Sequence, residues 1–305
     1  MATWVLLRGL MRDKRHWNGF DQRLRQRGFR VVTPDLPGNG ELYGELSPLN
    51  IADYGAAVWQ QLEEQGAVPQ SGIELTDSYR ESGNMADTAR VGDTNVGPIY
   101  LLGLSMGGMV ALEMARQRPV LIKHLVLLNS SAANLSPWYH RFNLINSLTA
   151  FLLRRRGDRL HPIESTIIRL TSCRHQHNNE LIAHWSQLRG ELKPKFNNAL
   201  RQLWAAFKYQ CPDALKVPVS VLCGDRDSLV NIKASNALAR HYKLEPIVLA
   251  YCGHDVTIDA PAKLAHCLAN ITSGYNQGEP SIDGFAGKQN LLEDIQGREL
   301  ELEPS

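Results

Sequence analysis

The chain has 305 residues, 43% of them hydrophobic and 21% charged, and its formal net charge is only +2. This balance is typical of a soluble globular protein and argues against general nucleic-acid binding. The apolar runs are too short for a signal peptide or a membrane span, and the five cysteines include no CxxC pair. We therefore expect a cytoplasmic protein in a reducing compartment.

Six short apolar runs predict buried β-strands, at residues 3–9, 30–38, 98–105, 124–130, 219–225 and 246–254. They are apolar throughout rather than alternating, as in parallel sheets that are covered on both faces. Helical patterns follow them, at residues 17–28, 50–66, 107–119, 232–243 and 259–271. This alternation predicts an α/β fold with a doubly wound, mostly parallel sheet of about six strands.

Three segments fall outside the alternation and set the predicted domain boundaries. Residues 69–97 are polar and predict a surface insertion in the first part of the core, residues 1–130. Residues 131–212 are mostly helical in pattern and predict a cap after the fourth strand, and residues 213–273 complete the core. Residues 274–305 hold seven acidic residues against two basic ones and predict a disordered tail.

The stretch Gly103-Leu104-Ser105-Met106-Gly107 joins the third strand to the helix that follows it. Gly-x-Ser-x-Gly in this context is the nucleophile elbow, a strained turn that exposes the serine hydroxyl above the sheet. The N–H of Met106 then lies at a helix N-terminus, where the dipole favours a developing oxyanion. Ser105 is therefore the predicted nucleophile, and Met106 is a predicted oxyanion donor.

A serine nucleophile needs a base and an acid that orients the base, and candidates for both follow later strands. His254 comes directly after the sixth strand, and the fifth strand ends in two carboxylates, Asp225 and Asp227. The carboxyl ends of parallel strands meet at one edge of a sheet. We therefore expect His254 and one of the two aspartates beside Ser105.

With these motifs the chain resembles the α/β-hydrolase superfamily, in its small serine-esterase branch. The resemblance covers residues 1–68, 98–135 and 213–272, and it includes the segment TPDLPGNGE, which is similar to the family's Asp-x-Pro-Gly-x-Gly turn. It implies the α/β-hydrolase fold without the usual first hairpin.

The resemblance also implies roles for residues that the motifs alone leave open. The family's Gly-x-x-Asp pattern favours Asp227 over Asp225 as the acid of the triad. Its second oxyanion donor is the backbone N–H after a His-Gly pair, and this chain has Arg8-Gly9-Leu10 at that place. Leu10 is therefore the expected second donor, because a backbone N–H survives a change of side chain.

These residues predict a serine hydrolase that cleaves a carboxylic ester or related acyl bond in a small-molecule substrate, through an acyl-enzyme and without metal or cofactor. Acyltransferases, thioesterases and cofactor-free haloperoxidases use the same triad and remain alternatives. A non-catalytic ligand-binding or scaffold protein is an alternative of a different class, motivated by Arg8 and by the basic cap. The sequence leaves the oligomeric state open.

The predicted cap is basic, with twelve Lys and Arg against four Asp and Glu between residues 141 and 208. Its densest part contains Arg154, Arg155 and Arg156, which are candidates for docking an anionic or carrier-linked substrate; solvated helix ends are the plainer interpretation. The cap's aromatic residues are predicted to pack its helices together, with some lining an acyl pocket: Trp138, Phe142, Phe151, Trp185, Trp204 and Phe207.

Several other polar residues have plainer interpretations than chemistry. Asp35 is predicted to form a turn, and Asp259 to cap the helix that follows it. Cys173, His175 and His177 have ligand-like spacing, but they lie in a predicted cap loop, and a zinc site normally needs a further ligand.

Overall fold

The computed structural model describes residues 1–70, 98–143, 162–192 and 195–274. The chain divides into two units, Met1–Cys267 and Leu268–Ser305. The first unit holds the sheet and every candidate site residue that the structure describes. The second is described only to residue 274, as the last turns of a helix and the residues after it.

A six-stranded sheet forms the centre of the first unit. Its strands are β1 (Thr3–Leu7), β2 (Arg30–Val32), β3 (Ile99–Leu104), β4 (Ile122–Leu128), β5 (Val219–Gly224) and β6 (Ile247–Leu249). They are ordered β2-β1-β3-β4-β5-β6, and every neighbouring pair is parallel. This confirms the parallel sheet and each of the six strands predicted from the apolar runs.

The helices of the core follow the strands as predicted. They are α1 (Phe20–Gln26), α2 (Ile51–Glu64), α3 (Met106–Gln117), α8 (Ile232–His241), the short α9 (Val256–Asp259) and α10 (Pro261–Thr272). Asn50 begins α2 and Asn231 begins α8, each with a side chain that accepts a backbone N–H of the first turn. α2 and α3 bury their apolar side chains, such as Trp59 and Val110, in one core cluster with the strands.

The order of the strands explains where a site can form. The chain passes from β1 to β2 on one side of β1 and then returns to β3 on its other side. Leu7 pairs with Gly103, so the segments that leave β1 and β3 begin side by side. A ligand crevice in such a sheet lies outside the strand carboxyl ends at this point of reversal.

Between β4 and β5 the described residues form four helices, namely α4 (Trp138–Arg141), α5 (Pro162–Thr171), α6 (Asn179–Glu191) and α7 (Phe196–Lys208). The aromatic residues do not all pack as predicted. Trp185 is fully buried, but Trp138, Trp204 and Phe207 are each more than half exposed. Trp204 and Phe207 lie on α7, which turns Asn198 and Gln202, together with the small Ala205, toward the core.

Some predictions fall on residues outside the described ranges. These are nearly all of the insertion at 69–97, the cap arginines Arg154, Arg155 and Arg156, Phe151, and the tail beyond residue 274. Within the ranges that are described, the helices are all too short or too polar to cross a bilayer.

Candidate active site

Ser105 occupies a strained turn between β3 and α3. Its backbone has φ 59° and ψ −121°, a conformation that a non-glycine residue adopts only when its surroundings enforce it. A Cβ at Gly107 would lie 2.2 Å from the carbonyl oxygen of Leu7, so only glycine lets α3 begin this close to β1. The Ser105 N–H donates to the Leu128 carbonyl at 2.9 Å, and the Ser130 hydroxyl donates to the Ser105 carbonyl at 2.8 Å. Both hydrogen bonds come from β4 and the residues that follow it, and they fix the Ser105 backbone at the end of β3.

The segment after β1 passes directly beside this serine. A Cβ at Gly9 would lie 3.0 Å from the Ser105 Cβ and 3.5 Å from its Oγ. The next residue is Leu10, and the following N–H, of Met11, donates to Gln202 Oε1 at 2.9 Å. Among the described residues, nothing accepts a hydrogen bond from the N–H of Leu10 or of Met106, which begins α3. Both donors remain available near Ser105.

His254 and Asp227 form a buried pair. His254 Nδ1 lies 2.7 Å from Asp227 Oδ2, and the two side chains are 7% and 2% exposed. The other carboxylate oxygen of Asp227 accepts the N–H groups of Leu229 and Val230, both at 2.8 Å. These bonds fix the carboxylate, and the carboxylate fixes the ring, so Nε2 is the nitrogen that remains for a reacting group.

Asp225 makes different contacts from Asp227. It is exposed, and its Oδ1 accepts the Cys252 N–H at 3.1 Å, which braces the segment after β6. The two aspartates are only two positions apart in the chain, yet only Asp227 faces His254.

Asn129 supports the histidine segment, and it is not among the residues predicted from the sequence. It follows β4 with φ 48°, and its Nδ2 donates to the His254 carbonyl at 2.7 Å and the Gly253 carbonyl at 3.2 Å. Its Oδ1 accepts the Gly224 N–H at 2.9 Å. The available signal was a polar residue directly after a buried strand, at the edge that carries the site.

Asp259 does not cap a helix as predicted. It ends α9 and is buried, with its Oδ2 accepting the N–H groups of Gly253 at 2.7 Å and Cys173 at 3.0 Å. Its Oδ1 accepts the Ser172 hydroxyl and the Arg174 N–H. A buried carboxylate requires such donors, and here they join the end of α5 to the histidine segment.

Asp35 does not bond its own local backbone as predicted; its carboxylate accepts the N–H groups of Lys14 at 2.8 Å and Glu41 at 3.0 Å, which ties the segment after β2 to the segment after β1. The Cys173 thiol donates to the Tyr251 carbonyl, and His175 Nδ1 faces the Asn178 amide. No group of three or more His, Cys, Asp and Glu in the described ranges is arranged to hold a metal ion.

A charged junction joins the segment after β1 to α5 and α6. Glu164 on α5 is fully buried and pairs with Arg12 at 2.9 Å and with Arg189 on α6 at 2.5 Å. Burial opposes the charge of Glu164, but the two arginines hold the pKa of its carboxyl below the usual value. Burial, together with the charge of Arg12, lowers the pKa of His16 at this junction to about 4. A small pocket that opens to solvent borders the junction.

The chain belongs to the alpha/beta hydrolase family, whose sequence profile matches residues 4–266. RutD of Yersinia enterocolitica, described as a candidate carbamate hydrolase, is 28% identical over 265 residues, which make up 84% of this chain and 82% of RutD.

Solved structures of the same fold resemble the chain over most of its length. An esterase from Thermogutta terrifontis is 21% identical, with a TM-score of 0.62 and 90% of each chain covered. The enol-lactonase from Burkholderia xenovorans is 15% identical, with a TM-score of 0.64 and coverage of 89% of this chain and 91% of the other. The fold class and the family predicted from the sequence are thereby confirmed, and the chain is a hydrolase by family.

Proposed function

We propose that the protein is a serine hydrolase that cleaves a carboxylic ester or a related acyl bond through an acyl-enzyme. The observation that carries the proposal is the buried 2.7 Å contact between His254 and Asp227, at the same sheet edge as the strained serine turn. An imidazole oriented by a carboxylate, at the sheet edge that also carries a half-buried serine hydroxyl and two N–H donors, is the constellation that acyl transfer requires.

In the proposed reaction the Ser105 Oγ attacks the acyl carbonyl carbon while His254 Nε2 takes the hydroxyl proton. Asp227 accepts the Nδ1–H, which holds the tautomer and stabilises the imidazolium. The N–H groups of Met106 and Leu10 donate to the oxyanion of the tetrahedral intermediate. His254 then protonates the leaving group, and a water molecule releases the acyl group by the same steps in reverse.

The proposed triad indicates cleavage at an acyl carbon, but it does not identify the substrate. The names of the relatives, an esterase, an enol-lactonase and a candidate carbamate hydrolase, support hydrolysis at an acyl carbon. Thioester hydrolysis, acyl transfer and haloperoxidation would use the same residues. Docking of an anionic or carrier-linked substrate at Arg154, Arg155 and Arg156 stays a prediction from the sequence.

The test is covalent labelling of the purified protein with a fluorophosphonate, beside a panel of activated esters of graded acyl length and matching thioesters. Ser105→Ala should abolish labelling and lower the rate by about 10⁶, as loss of a triad nucleophile does elsewhere. Ser186→Ala makes the same chemical change on α6 and should keep both. A wild-type protein that takes no label and hydrolyses no ester would contradict the proposal and favour the non-catalytic alternative.

A further inference from the structure

Arg8 and Asp255 lie next to the two segments that the proposed chemistry uses. Arg8 stands two positions before Leu10, and Asp255 directly follows His254. Arg8 Nη2 donates to Asp255 Oδ2 at 2.6 Å, and Arg8 Nη1 lies 3.3 Å from Asp255 Oδ1. The pair is bidentate, so it fixes the relative orientation of the two side chains as well as their distance.

The pair is buried and closely surrounded. Arg8 is 4% exposed and Asp255 is 2% exposed. Arg8 Nη1 also donates to the Thr257 hydroxyl at 3.4 Å, and the guanidinium carbon lies 4.9 Å from the centre of the Trp17 ring. Burial opposes ionisation of Asp255, but Arg8 and Thr257 hold the pKa of its carboxyl below the usual value.

Stability alone gives a poor reason for this arrangement. A buried ion pair is often no more stable than apolar residues of the same volume, because both charges lose their hydration. Here, within the described residues, the Arg8 Nε is also buried without a hydrogen-bond partner. The pair does, however, connect directly two segments that are 247 positions apart in the chain.

We propose that Arg8 and Asp255 are positioning residues that hold the Leu10 N–H and the His254 ring in register on either side of Ser105. This inference rests on the proposed function, because it assigns the pair to alignment of that site. Neither side chain takes part in a bond-making step. An error of about 1 Å between base, nucleophile and oxyanion donor is enough to lower a rate by on the order of 10²-fold.

The decisive variant replaces both partners by apolar residues, Arg8→Met with Asp255→Leu. Each single change leaves a buried charge unpaired and should lower both the melting temperature and kcat. The double variant should recover the melting temperature, while kcat for an activated ester stays about 100-fold low and KM changes less than about twofold. Recovery of wild-type kcat together with stability would overturn the inference, since the pair would then be merely structural.

Arg118 offers a control pair away from the site, less buried than the pair of Arg8 and Asp255. Its guanidinium pairs with Glu63 at 2.5 Å and lies 5.1 Å from the Trp59 ring, but it precedes β4, at the opposite end of the strands. Arg118→Met with Glu63→Leu should leave kcat unchanged. If the Arg8 double variant does not fold, Arg8→Lys keeps the charge and loses the fork geometry. It should fold with kcat lowered about tenfold, and wild-type kcat in that variant would also overturn the inference.

The outcomes separate this inference from the proposed function. If the wild-type protein shows no hydrolysis that depends on Ser105, the proposed function fails. If it does show such hydrolysis and the folded Arg8 variants keep wild-type kcat, only the positioning role fails.

Discussion

Two helices, α3 after Ser105 and α7 before β5, bury opposite kinds of face. α3 buries nearly all its length, including Met109, Val110 and Leu112. α7 buries Asn198 and Gln202 and leaves Leu203, Trp204 and Phe207 exposed. Apolar burial therefore orients α3, whereas the hydrogen bonds of buried polar side chains orient α7.

The hydrogen bonds of α7 end on the segments that leave β1 and β2. Gln202 accepts the Met11 N–H and donates to Asn39 Oδ1 at 2.7 Å, and Asn198 accepts the Ser47 N–H at 3.0 Å. The candidate site therefore lies on a sheet edge fixed by apolar burial, while α7 is attached to the segments beside that edge through polar contacts. Substitutions at the carboxyl ends of the strands should lower kcat. Substitutions in α7 should mainly lower the free energy of unfolding.

The largest expected effect separates the two aspartates after β5. Asp227→Asn should lower kcat by about 10⁴, because the amide favours the wrong tautomer of His254. Asp225→Asn should lower it far less, since Asp225 only accepts the Cys252 N–H. Steady-state rates of both variants on one activated ester are the measurement. The opposite ranking would mean that Asp225, not Asp227, is the acid of the triad.

The next effect concerns the donor after Gly9. Leu10→Pro removes the N–H and should raise the barrier by about 3–4 kcal/mol, the scale for one oxyanion donor. Leu10→Ala keeps the N–H and is the matched control, with an expected change in kcat of a few-fold at most. Circular dichroism must show that the proline variant is folded. A folded proline variant with full activity would place the second donor elsewhere.

The parts of the fold that were predictable are those in which local pattern and burial agree. Continuous apolar runs marked the strands, and glycines in a strand–turn–helix context marked Ser105. The contact between His254 and Asp227 was predictable because strand carboxyl ends share one edge, while the catalytic roles of the two residues stay predictions. These signals are local, and the topology brings them together.

What the sequence did not reveal depends on contacts between distant segments. Asp259 binds the end of α5, about 86 positions away in the chain, and Asn129 binds the histidine segment 125 positions away. The outward aromatic face of α7 follows from partners of Gln202 that lie more than 150 positions earlier. No local pattern contains such pairings, and patterning alone predicts the apolar face of a helix to be the buried one.

A pH experiment tests the charged junction formed by Arg12, His16, Glu164 and Arg189. The folded-state pKa of His16 is about 4, below the 6.5 of a free histidine, so the folded state binds fewer protons than the unfolded state between these values. The stabilisation is complete above pH 6.5 and is lost as pH falls toward 4, by roughly 3 kcal/mol. Urea unfolding at pH 7.5 and 4.5 should show a smaller loss for His16→Gln than for wild type. His184→Gln on the exposed side of α6 is the control, and an equal loss in wild type and His16→Gln would contradict the assignment.

The smallest effects are expected for substitutions on the two faces of α7. Gln202→Leu leaves the partly buried Met11 N–H and the buried Asn39 Oδ1 without their partner, and should lower the free energy of unfolding by about 1–3 kcal/mol. Trp204→Gln, at a position that is 54% exposed, should change it by less than about 0.5 kcal/mol although it removes a large apolar side chain. Urea unfolding of both variants at one pH measures the contrast.

If the tryptophan change were the more destabilising, apolar burial would orient α7 as it orients α3, and the distinction between the two helices would be wrong. Because Met11 follows Leu10, Gln202→Leu should also lower kcat, and Trp204→Gln should leave kcat for short neutral esters unchanged.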